Sequence, residues 1–230
     1  MNELLQSSLY FGVFLSLGTY FLGTVIHKKW KSPFTNPMII AIILSISVLL
    51  VLDMEYETYY DTARYLSYLL TLATVCLAVP LYRQLEALKR HYVAILAGIC
   101  SGALASILSV LTMCLLFGLS HTEYVTLLPK SVTTAIGMSL SQEMGGIPAI
   151  TVASIAVTGI LGNCSAVALC KLFRLTHPVA KGIAIGTASH AFGTTKALEL
   201  GETEGAMSGL SIAVCGLLTV VFAQIFAGLL

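Results

Sequence analysis

Charge is the scarcest ingredient of this sequence. Lys and Arg number 12 and Asp and Glu 11 in 230 residues, so that 10% of the chain is charged, where soluble domains carry roughly a quarter. So few charges argue against a soluble domain of this size. The net charge of +1 supplies no basic face, which excludes nucleic acid as a partner. Paired cysteines are missing too. Cys76, Cys100, Cys114, Cys164, Cys170 and Cys215 stand singly inside apolar runs, with no CxxC and no Cys/His cluster. They read as small buried hydrophobes, and neither disulfides nor a metal site are expected. There is no P-loop, no G-x-S-x-G and no H-E-x-x-H; no enzyme activity, catalytic residue or cofactor is expected. The first apolar run, Leu4 to Ile26, lacks a basic leader and an A-x-A site. It is also longer than a signal-peptide core, which predicts a retained helix, and no Arg/Ser-rich transit peptide precedes it.

What the sequence does have is apolar length. Hydrophobic residues make up 57% and the mean hydropathy is +0.91, as in a polytopic membrane protein whose partner is the lipid bilayer. Eight hydrophobic elements are expected, at 4–26, 37–52, 64–82, 92–118, 124–144, 147–170, 178–198 and 205–230. The second is short for a span, and the third carries Pro80 near its polar end, where a helix would break. The fifth and seventh are rich in Ser, Thr and Gly and carry charges, which suits segments buried in protein or lining a wet cavity.

The loops orient the chain. His27 to Lys31 (HKKWK) is basic and predicts a cytoplasmic loop with the N-terminus outside. Asp53 to Asp61 (DMEYETYYD) is acidic and falls on the other face, whereas Arg83 to His91 (RQLEALKRH) returns to the cytoplasm, as do Lys171, Arg174 and Lys181. Sliding the chain by 113 residues lays Tyr82 to Val93 over Thr195 to Ala206, with Arg83 on Lys196, Leu85 on Leu198 and Glu86 on Glu199; Pro37 falls approximately on Pro148. RQLEALKRH nets +2 and its counterpart KALELGETE nets −2. Matched loops of reversed charge point to an inverted repeat. Three crossings per unit satisfy inversion, and they leave the fifth element re-entrant or broken and the C-terminus inside. The expected fold is an all-α polytopic membrane protein with an inverted-repeat, transporter-like 3+3 core, interrupted or re-entrant helices and an extra N-terminal helix. It is read as one transmembrane domain over 1–230, with an N-terminal helix and basic loop (1–35), repeat 1 (36–118), a re-entrant connector (119–146) and repeat 2 (147–230).

Two polar interruptions draw the functional reading. In the first, Lys130 follows Pro129 and precedes Ser131, Thr133 and Thr134. A proline-started helix end offers free N–H groups and partial positive charge, a setting for a carboxylate; the alternative is a lysine snorkelling to headgroups. In the second, Gly193 breaks the helix, and Thr194, Thr195 and Lys196 follow, with Ser189 and His190 deeper in the segment. Lys196 is either a site residue or one half of an i,i+3 surface pair with Glu199. His190 is either a proton relay or a neutral histidine bonded to a carbonyl in the break. Glu143, just before the Gly145–Gly146 break, is a second proton-coupling candidate with Glu199 a third, although Glu143 also reads as an external loop charge. Asn163, mid-span among small residues, either glues helices together or touches substrate. Asn36 before Pro37 reads as a helix cap or a cavity residue. Gly98 and Gly102 (GICSG) read as helix packing, and Glu202 and Glu204 as solvated loop charges.

With these stretches in hand, the chain resembles the LrgB/CidB family of bacterial membrane proteins over nearly its whole length. The resemblance is carried by Asn36 to Ile42 (NPMIIAI), Leu77 to Gln84 (LAVPLYRQ), Leu127 to Thr151 (LLPKSVTTAIGMSLSQEMGGIPAIT) and Gly186 to Leu210 (GTASHAFGTTKALELGETEGAMSGL). It implies a multi-pass protein of the bacterial cytoplasmic (inner) membrane. It also implies either of two functions. One is holin- or antiholin-like modulation of murein hydrolase export and lysis, beside a small LrgA/CidA-type membrane partner. The other is carriage of small carboxylates such as pyruvate, glycolate or glycerate, the last two in plastid relatives. The residues favour the carrier: a proton-coupled secondary transporter of 2-hydroxy or 2-oxo monocarboxylates. In it, Lys130 and Lys196 would hold the carboxylate and Thr133, Thr134, Thr194 and Thr195 its other oxygen. A homodimer is expected, since one element per half is featureless Leu/Ile/Ala with a neighbour to pack against.

Overall fold

Prolines and glycines punctuate the helices. In the computed structural model, which describes residues 10–30, 37–69, 82 and 85–230, α1 spans Phe11–Lys29, α2 Pro37–Val51 and α3 Tyr56–Ala63, continued by a 3-10 turn, Arg64–Ser67. Then come α4 (Leu85–Phe117), α5 (His121–Leu127), α6 (Thr134–Glu143), α7 (Pro148–Leu172), α8 (Pro178–Leu200) and α9 (Glu202–Phe226). Pro37, Pro148 and Pro178 each open a helix, where a missing N–H costs nothing. Helix ends repeat one device. Asp53, Gly118, Gly145 and Arg174 have positive φ, and the next N–H reaches back five residues, as from Leu119 to Cys114 (2.9 Å) and from Gly146 to Ser141 (2.7 Å). Ser120 and Glu123 form a capping box at the start of α5, and the Ser120 hydrogen bonds hold the Glu123 carboxyl below its ordinary range.

All regular structure among the described residues is helical. Among the described residues three helices are long and apolar enough to cross a membrane, Tyr92–Phe117, Pro148–Leu172 and Glu202–Leu229, with Pro37–Val51 a shorter apolar helix. Apart from the third (64–82), which lies largely outside the described residues, the expected elements correspond to helices with one change. The acidic stretch read as a loop is in part helix α3, whose Tyr56, Tyr59 and Tyr60 lie on one face with ring centroids 6.0–6.3 Å apart. The fifth element, expected to be re-entrant or broken, is two short helices joined through Leu128 to Thr133. Asn36, Pro80 and Arg83 lie outside the described residues.

The chain divides into two compact units, Met1–Cys76 and Leu77–Leu230. In the first, hydroxyls tie α1 to its neighbours. The Gly12 N–H donates to Thr62 Oγ1 (2.9 Å), Ser16 Oγ bonds Tyr59 Oη (2.8 Å), and Thr19 Oγ1 bonds Ser45 Oγ (3.0 Å). In the second, α8 is the hub and small residues let backbones close on it. Gly182 and Gly186 of α8 face Glu204 to Ser208 of α9, Gly98 and Gly102 of α4 take Ile183 and Thr187, and Gly159 and Gly162 of α7 take Phe192, His190 and Ser189. The GICSG packing reading is thus correct. Glu204, read as a solvated loop charge, is buried in the first turn of α9 against Gly201, where a helix N-terminus favours an anion.

Candidate functional site

Helical register builds one face from each of three helices. Gly98, Ser101, Gly102, Ala105, Ser106 and Ser109 share a face of α4; Ala180, Ile183, Ala184, Thr187 and Ala188 share a face of α8; Thr158 and Gly162 share a face of α7. Because almost all of these side chains are small, the faces do not fill the space between them. They line, with Leu175, Ser189 and the α5–α6 link, an open cavity of about 880 Å³, within the usual range for small-ligand sites.

The link places one charge in this wall. Pro129 ends helical continuity after α5, so Lys130 lies in the turn, not at a helix N-terminus as the proline suggested; α6 starts four residues later, at Thr134. The half-buried Lys130 Nζ donates to Ser131 Oγ (3.3 Å) and Ser106 Oγ (3.5 Å), and Ser106 Oγ donates to Ser131 Oγ (2.8 Å). Among the described residues no carboxylate lies within ion-pair distance of this ammonium. Among the described residues it is the only cation lining the cavity, in a wall otherwise of hydroxyl, aliphatic and glycine groups. Such a group has hydrogen-bonding capacity left for an anion.

The second interruption is built differently. The helical break falls at His190 (φ 40°, ψ −135°) and not at Gly193. Its buried ring donates from Nε2 to the Ile155 carbonyl of α7 (3.2 Å) and meets Phe192 edge-on at 5.6 Å. The carbonyl contact matches the structural one of the two roles weighed for it. A side chain held at this φ stores about 1–3 kcal/mol of strain, offset by these tertiary contacts. Asn163 of α7 clamps the same break, donating to the Phe192 carbonyl and to Thr195 Oγ1 (2.9 Å). Asn163→Ala is therefore expected to destabilise by about 1 kcal/mol, the net worth of the lost hydrogen bonds, because the Phe192 carbonyl keeps Thr195 Oγ1 as a donor (2.8 Å); the readout is a lower thermal midpoint in detergent by circular dichroism.

Of the sequence candidates, the structure brings Lys130, Ser131 and Ser189 to the cavity. Thr194 is buried outside its lining, bonded to Ser208 Oγ (2.7 Å). Lys196 pairs with the exposed Glu199 at 2.6 Å. Thr133 caps α6 without a side-chain bond, Thr134 is exposed, and Glu143 is exposed at the α6 end. None of these, nor His190, Asn163 or Thr195, lines the cavity. Sequence reading missed Ser106, Thr158 and Thr187, which the 98/102/106/109, 158/162 and 180/184/187 spacings encode. Thr187 Oγ1 is buried without a hydrogen-bond partner, alone in this among the described residues, at a cost of about 1–3 kcal/mol. Among the described residues no group of three His, Cys, Asp or Glu side chains forms a metal-holding cluster.

Comparison with known proteins returns one family. A model described as the LrgB-like family matches residues 16–229. Antiholin-like protein LrgB of Bacillus cereus (strain B4264) is 36% identical over 218 residues, covering 94% of this chain and 95% of that protein. The protein of the same name from Bacillus anthracis (strain A0248) matches equally. No solved structure matches.

Proposed function

The chain belongs to the LrgB-like family of membrane proteins, and from that premise we propose an antiholin-like role in which its molecular activity is selective passage of small monocarboxylates through the Lys130 cavity. The cellular half of this reading follows the name its relatives carry. With it we propose the cytoplasmic membrane, an LrgA/CidA-type partner and modulation of murein hydrolase export and lysis, with the N-terminus outside and the C-terminus inside as the loop charges predict. The molecular half rests on one observation: an ammonium held by two serine hydroxyls, without a carboxylate partner among the described residues, in the wall of a cavity sized for a small ligand. A 2-oxo or 2-hydroxy acid of two or three carbons fits that charge and those hydroxyls.

The architecture we propose for this activity is the inverted repeat, with repeat 1 over 36–118 and repeat 2 over 147–230. The broken α5–α6 connector and the His190 break lie where irregular backbone is tolerated in membranes, against protein and cavity. Proton coupling through Glu143, His190 or Glu199, and homodimerisation through the plainer apolar faces, belong to the same proposal.

Proteoliposomes of the purified chain decide between carrier and pore. Uptake of labelled pyruvate or glycolate with retention of a trapped dye is the expected result. Dye release without substrate preference would replace the carrier with a holin-like pore. Neither signal, alongside altered lysis in cells expressing the chain, would leave a purely regulatory role.

A further inference from the structure

We propose that Lys130 carries the proton that travels with the acid, so that one side chain both holds the carboxylate and couples its passage to the proton. The inference rests on the cavity being a small-monocarboxylate site.

Depth comes first. Ser106, whose hydroxyl accepts from Lys130 Nζ (3.5 Å), is the fifteenth residue of the 26-residue apolar span Tyr92–Phe117. Ser189, on the same cavity wall, is the middle residue of α8, and Thr158 lies close to the middle of α7. The ammonium therefore stands near mid-membrane, where an unpaired charge is costly and marks function.

Nothing among the described residues balances it. The faces of α4, α7 and α8 that line the cavity are uncharged, and no cysteine lines it. The charged groups of these helices stand towards their ends. Lys89 of α4 is about 25 Å along the axis from Ser106. Lys171 closes α7, Lys181 lies in the first turn of α8, and Lys196 near its end is paired with Glu199. His190 is at mid-helix, but its ring is held by the Ile155 carbonyl (3.2 Å). In α5, His121 is exposed, Glu123 is bound in the capping box and Tyr124 Oη donates to the Phe226 carbonyl (2.9 Å). Glu143 is exposed at the far end of α6, and α9 carries Glu202 and Glu204 in its first turn. Among the described residues, Lys130 is thus the one titratable group that an acid in this cavity meets.

That isolation dictates the coupling. Two states of the site are electrically neutral: an empty cavity with a neutral amine, and a loaded one in which ammonium faces carboxylate. In both, the charge at membrane depth is absent or paired. Loading moves one proton. The undissociated acid gives its proton to the Nζ lone pair, or a bulk proton forms the ammonium that then captures the anion; the sum is the same, and unloading returns it. An ammonium without its anion is the state that does not cross, so the carrier returns empty only after losing the proton. By linkage, the proton strengthens carboxylate binding by the factor with which the carboxylate strengthens proton binding. Glu143, His190 and Glu199 lie outside the lining and are left as relays between Lys130 and solvent.

The test separates accumulation from exchange in proteoliposomes of the full chain. With the lumen about one pH unit more alkaline and no membrane potential, wild type should concentrate labelled pyruvate about tenfold, the limit for one proton per anion, faster than protein-free vesicles. Lys130→Arg keeps the charge and the donors but does not give up its proton. It is expected to keep the exchange of labelled for unlabelled pyruvate at equal pH and to lose the accumulation. If the arginine variant exchanges nothing, calorimetry of pyruvate binding to wild type in two buffers of different ionisation enthalpy decides. Uptake of about one proton per pyruvate bound supports the assignment, and none overturns it. Accumulation retained by Lys130→Arg, or wild-type uptake indifferent to the gradient, also overturns the assignment and leaves the carboxylate site standing. No transport of pyruvate or glycolate by wild type overturns both.

Discussion

Lys130→Met is expected to lower monocarboxylate uptake by about a hundredfold without unfolding the protein. A hydrogen bond to a charged group is worth roughly 1.5–3 kcal/mol, and about 3 kcal/mol is two orders of magnitude. The lysine contributes little to the fold. Its two hydrogen bonds, at 3.3 and 3.5 Å, are long, and the Ser106–Ser131 bond at 2.8 Å persists without it. Methionine keeps the length of the side chain and removes a cation from half-buried surroundings, so the thermal midpoint should hold or rise. Lys196→Met is the informative contrast. Its partner Glu199 is 63% exposed, and such an i,i+3 pair is worth a few tenths of a kcal/mol, so uptake should stay within about twofold. The reverse pattern, transport lost with Lys196 and kept without Lys130, would move the carboxylate site to the second interruption. The measurements are initial uptake rates at matched reconstitution, beside circular dichroism melts of both variants.

Much of the helical framework is legible in the residues, because prolines mark starts and apolar runs mark lengths. Pro148 and Pro178 open α7 and α8 where the runs begin, and Pro129 with Gly145 delimits the broken connector. The site is legible only in part. Lys130 and Lys196 look alike as sequence, each beside two threonines; which one faces the cavity depends on helix rotation and on Glu199 standing three residues on. The break at His190 could not be read locally. Gly193 is the weaker helix former, yet the kink is imposed by a carbonyl 35 residues away and by the packing of Phe192. Ser106 and Thr187 were hidden differently. Their spacing from Gly98, Gly102 and Ala180 is plain, but a small-residue stripe reads equally as close packing or as a cavity wall, and only the third helix, α7, decides between them. In α3 the acidic residues masked a tyrosine periodicity that does predict a helix.

Gly186→Ala is expected to damage the fold and the cavity together. A Cβ there would press on the Ser208 carbonyl of α9 and lie 2.7 Å from Ser208 Cα and 2.8 Å from its hydroxyl. Two of those atoms are backbone, so no flexible side-chain end can give way, and the helices must separate. Overpacking of this kind costs about 1–3 kcal/mol, a large share of the margin on which folded proteins stand. The neighbouring close approach at Gly182, where a Cβ would stand 2.8 Å from Met207 Cβ, would open with it. Ser208 also holds Thr194 at 2.7 Å, so the separation would release a buried hydroxyl pair near the His190 break. Since α8 carries Thr187 and Ser189 into the cavity wall, uptake should fall in step with stability, a coupling that Lys130→Met should not show. Gly209→Ala supplies the reference. Nothing lies within 4 Å of its added methyl, and alanine is the better helix former by up to about 1 kcal/mol. Its melting midpoint should stay level or rise. Equal midpoints for the two alanine variants would mean that α8 and α9 pack less closely than this geometry requires.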